Sequence, residues 1–301
     1  MNKKNDHPIQ YIERSSGMII TESVMGSKAL DFAYNTLLGR SLWGLLFNTG
    51  FLSRLLGAFY DSKLSRKSIE SLIKIPGLKA DEAEKDYRQY ESFNDFFTRR
   101  LKPGSRPLGP GDDVLTSPAD GRLLVYPSIS PSALMPVKGA MRSLNTLCGQ
   151  ELPADFYSVA VIRLAPVDYH RYHYPCDCCK TDKEVYISGK YHSVNPVAFA
   201  KAPDLFTENT RCITKLKSDV FGEFLFLEVG AFGVGSIVNL HAATTDFQKG
   251  DEKGFFKFGG STVILIMESD KVQFDSDLIK NSSGSMETLI RCGERIGVAT
   301  V

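Results

Sequence analysis

The sequence predicts an α+β protein in which a helical N-terminal region, residues 1–102, precedes a mainly antiparallel, β-sandwich-like core, residues 103–301. Three observations carry that expectation. Apolar residues recur at helical spacing well before position 100; Pro103, Gly104, Pro107, Gly109, Pro110 and Gly111 then mark a linker; and short β-branched and aromatic runs punctuated by glycine follow it.

Taken in order, residues 37–60 form the most apolar stretch, with Leu38, Leu42, Leu45, Leu46, Leu52, Leu55, Leu56 and Phe59 three or four residues apart. Arg40, Asn48 and Arg54 interrupt it before the roughly 20 apolar residues of a membrane span accumulate. Gly39, Gly44, Gly50 and Gly57 weaken a free-standing helix, so packing or a lipid interface must stabilise it. Trp43, Phe47 and Phe51, flanked by Arg40, Arg54, Lys63, Arg66 and Lys67, suit a helix lying among lipid headgroups, and they suit a buried helical hairpin almost as well. More helix is expected over 63–90 with a break at Pro76-Gly77, and a short helix over 92–101 capped by Ser92. Strands are expected over 121–126, 158–164, 184–188, 224–229, 236–240 and 262–267.

Composition bounds the function. Lys plus Arg (36) nearly balance Asp plus Glu (35), so overall charge gives no case for a nucleic-acid partner. A 43% hydrophobic content over 301 residues is enough for a large core. Six cysteines without an apolar leader at the N-terminus point to a reduced, cytosolic chain, and a protein of this size does not require a disulfide framework.

Chemistry is concentrated in three places. Two of the five histidines fall in Asp168-Tyr169-His170-Arg171-Tyr172-His173-Tyr174-Pro175, a pairing with a nearby acid that suits proton movement, a structural network or half a metal site. Cys176, Cys178 and Cys179 sharpen the metal alternative, yet adjacent Cys178 and Cys179 cannot make the usual knuckle and no second cluster completes four ligands. Ser117-Pro118-Ala119-Asp120-Gly121 reads alone as an ordinary turn before a strand. Gly259-Gly260-Ser261-Thr262 ahead of Val263-Ile264-Leu265-Ile266-Met267 reads alone as a glycine hairpin, although two glycines also leave the Gly260 carbonyl open to approach.

Together, in this order, the three motifs resemble the phosphatidylserine decarboxylase family, and the resemblance runs over roughly the last two-thirds of the chain. The stretch from Phe93-Asn94-Asp95-Phe96-Phe97-Thr98-Arg99-Arg100 to Pro107, Ser193-Val194-Asn195-Pro196, Phe206 to Arg211, Val229-Gly230-Ala231 and Val234-Gly235-Ser236-Ile237 match as well. The resemblance implies a proenzyme that cuts itself between Gly260 and Ser261 into a β chain, 1–260, and an α chain, 261–301. Ser261 would attack the Gly260 carbonyl, with His173 as base and Asp120 as its orienter in a self-cleavage triad. Ser261 would end as a covalently bound pyruvoyl group, a pyruvate-derived cofactor that forms a Schiff base with phosphatidylserine. His170 would donate the proton after carbon dioxide leaves, and phosphatidylethanolamine would be released.

The same resemblance implies a peripheral enzyme on the cytoplasmic face of the cell membrane, with residues 37–60 as its docking element and the two cut chains as partners, in a possible homo-oligomer. Arg99, Arg100 and Arg171 are candidates for attracting phosphate or the anionic leaflet. One departure stands out: many family members carry Leu-Gly-Ser-Thr at the cut, whereas Gly259 replaces the leucine here, a change that bears on the rate of self-cleavage. The rival readings are a zinc hydrolase built on His170, His173 and the cysteines, a pyruvoyl enzyme acting on a soluble amino acid, and a non-catalytic binding module.

Overall fold

A computed structural model describes residues 9–22, 50–137, 140–189, 209–230, 237–240, 245–259 and 261–300. Among these residues helices are few and short: α1 (Gly50–Asp61), α2 (Lys67–Ile73), α3 (Phe93–Phe97), α4 (Leu144–Cys148) and α5 (Ser276–Ser283). Strands dominate. In chain order they are β1 (Gln10–Glu13), β2 (Ile19–Thr21), β3 (Val114–Thr116), β4 (Gly121–Ile129), β5 (Met135–Val137), β6 (Ala140–Arg142), β7 (Tyr157–Leu164), β8 (Arg171–His173), β9 (Cys178–Lys180) and β10 (Val185–Ile187). There follow β11 (Arg211–Ser218), β12 (Gly222–Val229), β13 (Ile237–Asn239), β14 (Asp246–Phe247), β15 (Glu252–Phe256), β16 (Ser261–Glu268), β17 (Val272–Phe274), β18 (Glu287–Ile290) and β19 (Arg295–Ala299).

One large sheet runs β14-β9-β11-β12-β16-β7-β4-β18-β1-β2, with β10 also pairing β11, and two three-stranded sheets, β13-β15-β8 and β17-β19-β3, accompany it. Among the described residues the pairing is antiparallel throughout except for β1 with β18. The large sheet is buried on both faces at its centre. Val263, Leu265 and Met267 of β16 join one apolar cluster with Leu123, Ile162, Tyr172, Phe226 and Phe256, while Ile264 and Ile266 join a second with Val159, Val161 and Leu147. A strand covered on both sides needs an apolar residue at every position, which is why this run does not alternate.

The α+β expectation with a mainly antiparallel core is met, and the helical expectation before position 103 only in part. The break at Pro76-Gly77 is real, with Gly77 at φ +97°, but beyond it residues 80–82 and 87–89 form single 3-10 turns instead of a continuing helix. The short helix is capped as expected, Ser92 Oγ accepting the Asp95 N–H at 3.1 Å, and it stops at Phe97. Phe93, Phe96 and Phe97 are buried with Ile69 and Leu72, each ring contributing about 2 kcal/mol, and this aromatic cluster locks the helix against the core. Of the apolar segment 37–60, residues 37–49 lie outside the described residues and α1 takes up the remainder. Residues 9–22, N-terminal to all of this, form a β1–β2 hairpin that extends the large sheet through β18.

Candidate active site

Four segments meet at one end of the central strands. In the turn 117–121, Ser117 Oγ donates to Ala119 O (2.7 Å) and Pro118 O accepts the His173 N–H (2.8 Å), which ties the turn to β8. Gly121 allows β4 to approach β7 closely, since a Cβ there would stand 2.7 Å from the Arg163 carbonyl oxygen. Asp120 Oδ1 accepts from the Cys292 N–H and from Arg106 Nε, both at 2.8 Å, and its Oδ2 accepts from Arg106 Nη2 at 2.6 Å. Arg106 also reaches Glu82 at 2.8 Å. Burial pulls the Arg106 pKa down, but the Asp120 and Glu82 carboxylates overcome it and hold the pKa above its ordinary value.

The loop after β7 delivers the histidines. Asp168 Oδ2 accepts the Ala165 N–H (2.6 Å) and pairs with the buried Arg122, closing the loop on itself. His170 Nδ1 lies 3.0 Å from Asp168 O; a carbonyl oxygen can only accept, so Nδ1 carries the proton and Nε2 the lone pair. The ring sits on Phe97, centroids 3.8 Å apart, and Nε2 has no partner among the described residues. Burial, aided by the Arg99 and Arg122 charges, pushes the His170 pKa down to about 3, so it is neutral near pH 7. His173 shares that tautomer: Nδ1–H donates to Gly250 O (2.9 Å) and Nε2 accepts from the Tyr169 hydroxyl (3.3 Å). Burial lowers the His173 pKa too, against the Gly250 hydrogen bond and the negative charges of Glu252 and Asp120.

The strand before the serine runs beside them. β15 pairs with β8, matching Glu252 to His173 and Phe255 to Arg171, and the Phe256 N–H donates to His170 O at 2.9 Å. Phe258 then packs on Phe97 (5.3 Å between centroids) and its N–H donates to Asn94 Oδ1 (2.9 Å). Ser261 opens β16 opposite Leu164 of β7. Arg122, Arg163 and Thr262 form one row across β4, β7 and β16. Extending that register by one residue sets Gly121 opposite Leu164, and at about 5 Å per strand puts Ser261 about 10 Å from Gly121. Ser261 is fully buried and its Oγ has no hydrogen-bond partner among the described residues. A buried hydroxyl left unpaired costs about 1–3 kcal/mol, which alanine in a purely structural position would avoid.

The structure therefore brings Asp120 and His173 together through the 117–121 turn, holds His170 on the same loop, and heads β16 with Ser261 opposite Leu164 of β7. It does not link them in one relay. Among the described residues neither His173 nitrogen bonds to Asp120, which is held by Arg106, and Ser261 Oγ bonds to neither histidine. Gly260 lies outside the described residues. Arg106, Phe97 and Tyr169 sit inside quoted motifs without an expected role at the histidines or Asp120; Tyr169 adjoins His170 in the chain, whereas the contacts of Arg106 and Phe97 are made only by the fold. The Gly250 carbonyl carried no signal, since every residue has one. As for the zinc reading, no three His, Cys, Asp or Glu side chains cluster as a ligand set among the described residues, and Cys176 and Cys178 are packed in the apolar core.

A mainly antiparallel β protein with a buried serine heading a central strand and two neutral histidines grouped with two aspartates is the class that fold and site define. The phosphatidylserine decarboxylase family profile matches residues 93–298. A phosphatidylserine decarboxylase proenzyme of Chlamydia caviae is 42% identical over 292 residues, covering 96% of this chain and 97% of its own. Proenzymes of the same name from Ruminiclostridium cellulolyticum and Clostridium tetani are 41% and 38% identical, each over 294 residues, covering 96% of this chain and 97% and 98% of theirs. The chain belongs to the phosphatidylserine decarboxylase family.

Proposed function

We propose that this chain is a proenzyme that cuts itself between Gly260 and Ser261 and then converts phosphatidylserine to phosphatidylethanolamine and carbon dioxide. The observation that carries the reading is the buried Ser261 Oγ at the head of β16, without a hydrogen-bond partner among the described residues, in a chain 37–42% identical to proenzymes of that name. In self-cleavage, Ser261 Oγ bonds to the Gly260 carbonyl carbon as the peptide C–N bond breaks, and His173 Nε2, which carries the lone pair, takes the hydroxyl proton. Asp120 acts on His173 through its charge in the described arrangement, and Gly250 fixes the ring. β-Elimination then breaks the Cβ–Oγ bond and releases the 1–260 chain with Oγ in its new carboxylate; the dehydroalanine left at 261 tautomerises to an imine, and water hydrolyses it to the pyruvoyl group as ammonia leaves.

Position 261 fits that outcome, because the route carries off Oγ, which has no hydrogen-bond partner among the described residues, and ends with a methyl carbon in its place. Once formed, the group supplies a carbonyl that accepts electrons as carbon dioxide leaves. His170 Nε2 is unprotonated near neutral pH, so it must take up a proton before it can return one to the product carbon, and the substrate ammonium is a source. The two chains stay together without a covalent link, since β16 of the 261–301 chain lies between β12 and β7 of the other.

Docking at the cytoplasmic face of the cell membrane is part of the same reading, with residues 1–102 as the membrane-associating region and 103–301 as the catalytic core. Among the described residues no helix is long and apolar enough to cross a membrane, while Leu55, Phe59 and Leu64 expose apolar surface around α1. Mass spectrometry of the purified chain tests the proposal. Two fragments are expected, the second beginning at a ketone-reactive residue 261, whereas Ser261→Ala should stay whole; an uncut, active chain that keeps its serine would overturn it.

A further inference from the structure

A cavity of about 330 Å³ adjoins the site, with Asp120 and Tyr169 in its wall beside Arg99, Arg106, Arg122 and Asp168. Arg99 is the exception among the cations there. It is only 3% exposed, its Nη2 reaches the Val167 and Asp168 carbonyl oxygens at a long 3.4 Å each, and its Nε and Nη1 have no partner among the described residues. Other buried cations have carboxylates: Arg122 has Asp168, Arg163 has Glu22 and Glu287, and Lys253 has Glu228. The nearest candidates for Arg99 are taken, Asp120 by Arg106 and Asp168 by Arg122. A guanidinium keeps its charge at any physiological pH, and leaving its N–H groups buried and unmatched is costly. Phe96 stacks beneath it, with the guanidinium carbon 5.0 Å from the ring centroid, so its plane is held in place.

We propose that Arg99, in the wall of this cavity, is an oxyanion site. Resting on the reading above, its occupant is the phosphodiester of the substrate headgroup and not the carboxylate. The phosphodiester keeps its charge throughout the reaction, so an ion pair to it binds substrate and transition state alike. An ion pair to the carboxylate would instead stabilise the very charge that disappears as carbon dioxide leaves, and so would slow the reaction. Arg100 and Arg171, the other candidates from the sequence, do not offer such a site: Arg171 is bonded to Thr98 O and Glu252, and Arg100 is exposed beside Glu252.

The test is calorimetric titration of the full-length Ser261→Ala chain with glycerophosphoserine, glycerophosphoethanolamine and inorganic phosphate, repeated with Arg99→Gln and Arg99→Lys added. Both glycerophosphodiesters are expected to bind, Arg99→Gln to weaken them by about tenfold or more, and Arg99→Lys to restore part of the loss. An unchanged affinity in a folded Arg99→Gln chain overturns the site. Inorganic phosphate binding as tightly as the diesters overturns the headgroup assignment in favour of a free-phosphate site. In the mature enzyme, Arg99→Lys should raise KM for phosphatidylserine more than it lowers kcat; the reverse split overturns a binding role. Failure of the functional reading shows elsewhere, in an uncut or inactive wild-type chain, and leaves the titration interpretable.

Discussion

His170 makes the fold sensitive to acid by an amount that can be worked out. Its pKa is about 3 in the fold, against about 6.5 in an unfolded chain. Because the folded value is the lower one, the unfolded state binds more protons between the two, so this contribution is complete above about pH 6.5 and is lost as pH falls toward 3. At about 1.4 kcal/mol per pH unit, acidifying from about pH 6.5 to about pH 5 costs about 2 kcal/mol, and the whole window about 5 kcal/mol. His170→Gln cannot take up a proton and should lack this dependence, although losing the ring contact with Phe97 lowers its stability at every pH. The comparison belongs in the Ser261→Ala background, a single polypeptide whose urea unfolding can be followed by circular dichroism at about pH 7.5 and about pH 5. Carboxylates and His173 titrate in both chains and cancel. The gap between the two chains should close by about 2 kcal/mol on acidification. A gap that stays constant refutes the neutral, buried assignment of His170.

Two further perturbations probe the scaffold under the site. Gly121→Ala should cost about 1–3 kcal/mol, because the new methyl group meets the Arg163 carbonyl oxygen and Ile162 Cγ2 at 2.7 Å and must push β4 from β7; a melting temperature unchanged by calorimetry would show that the strands yield freely. Lys253→Met should cost about 3–5 kcal/mol by stranding the fully buried Glu228, and adding Glu228→Gln should recover most of it. Urea unfolding of the two single variants and the double variant measures the coupling, and additive losses would argue against the pair.

What the sequence by itself determined is the chemistry and the ladder of strands. Strand runs such as 158–164 and 262–267 are legible because burial on both faces demands apolar residues at consecutive positions, as at 159–162 and 263–267. The Ser92 cap is legible because its hydroxyl acts within three residues. The family was legible through motifs whose types and order point to it, and the proposed site residues come from those motifs. Only the tertiary structure decided the partners. It made residues 9–22 a hairpin on β18, far along the chain, where an N-terminal helical region was expected, because backbone pairing across that distance leaves no local pattern. It set Arg106, rather than His173, on the Asp120 carboxylate, put the lone pair of each histidine on Nε2 through a carbonyl contact, and left Arg99 without a carboxylate among the described residues. Hydrogen bonds and ion pairs are settled by which segments meet in space, and a side chain's type fixes what it can offer but not what it meets.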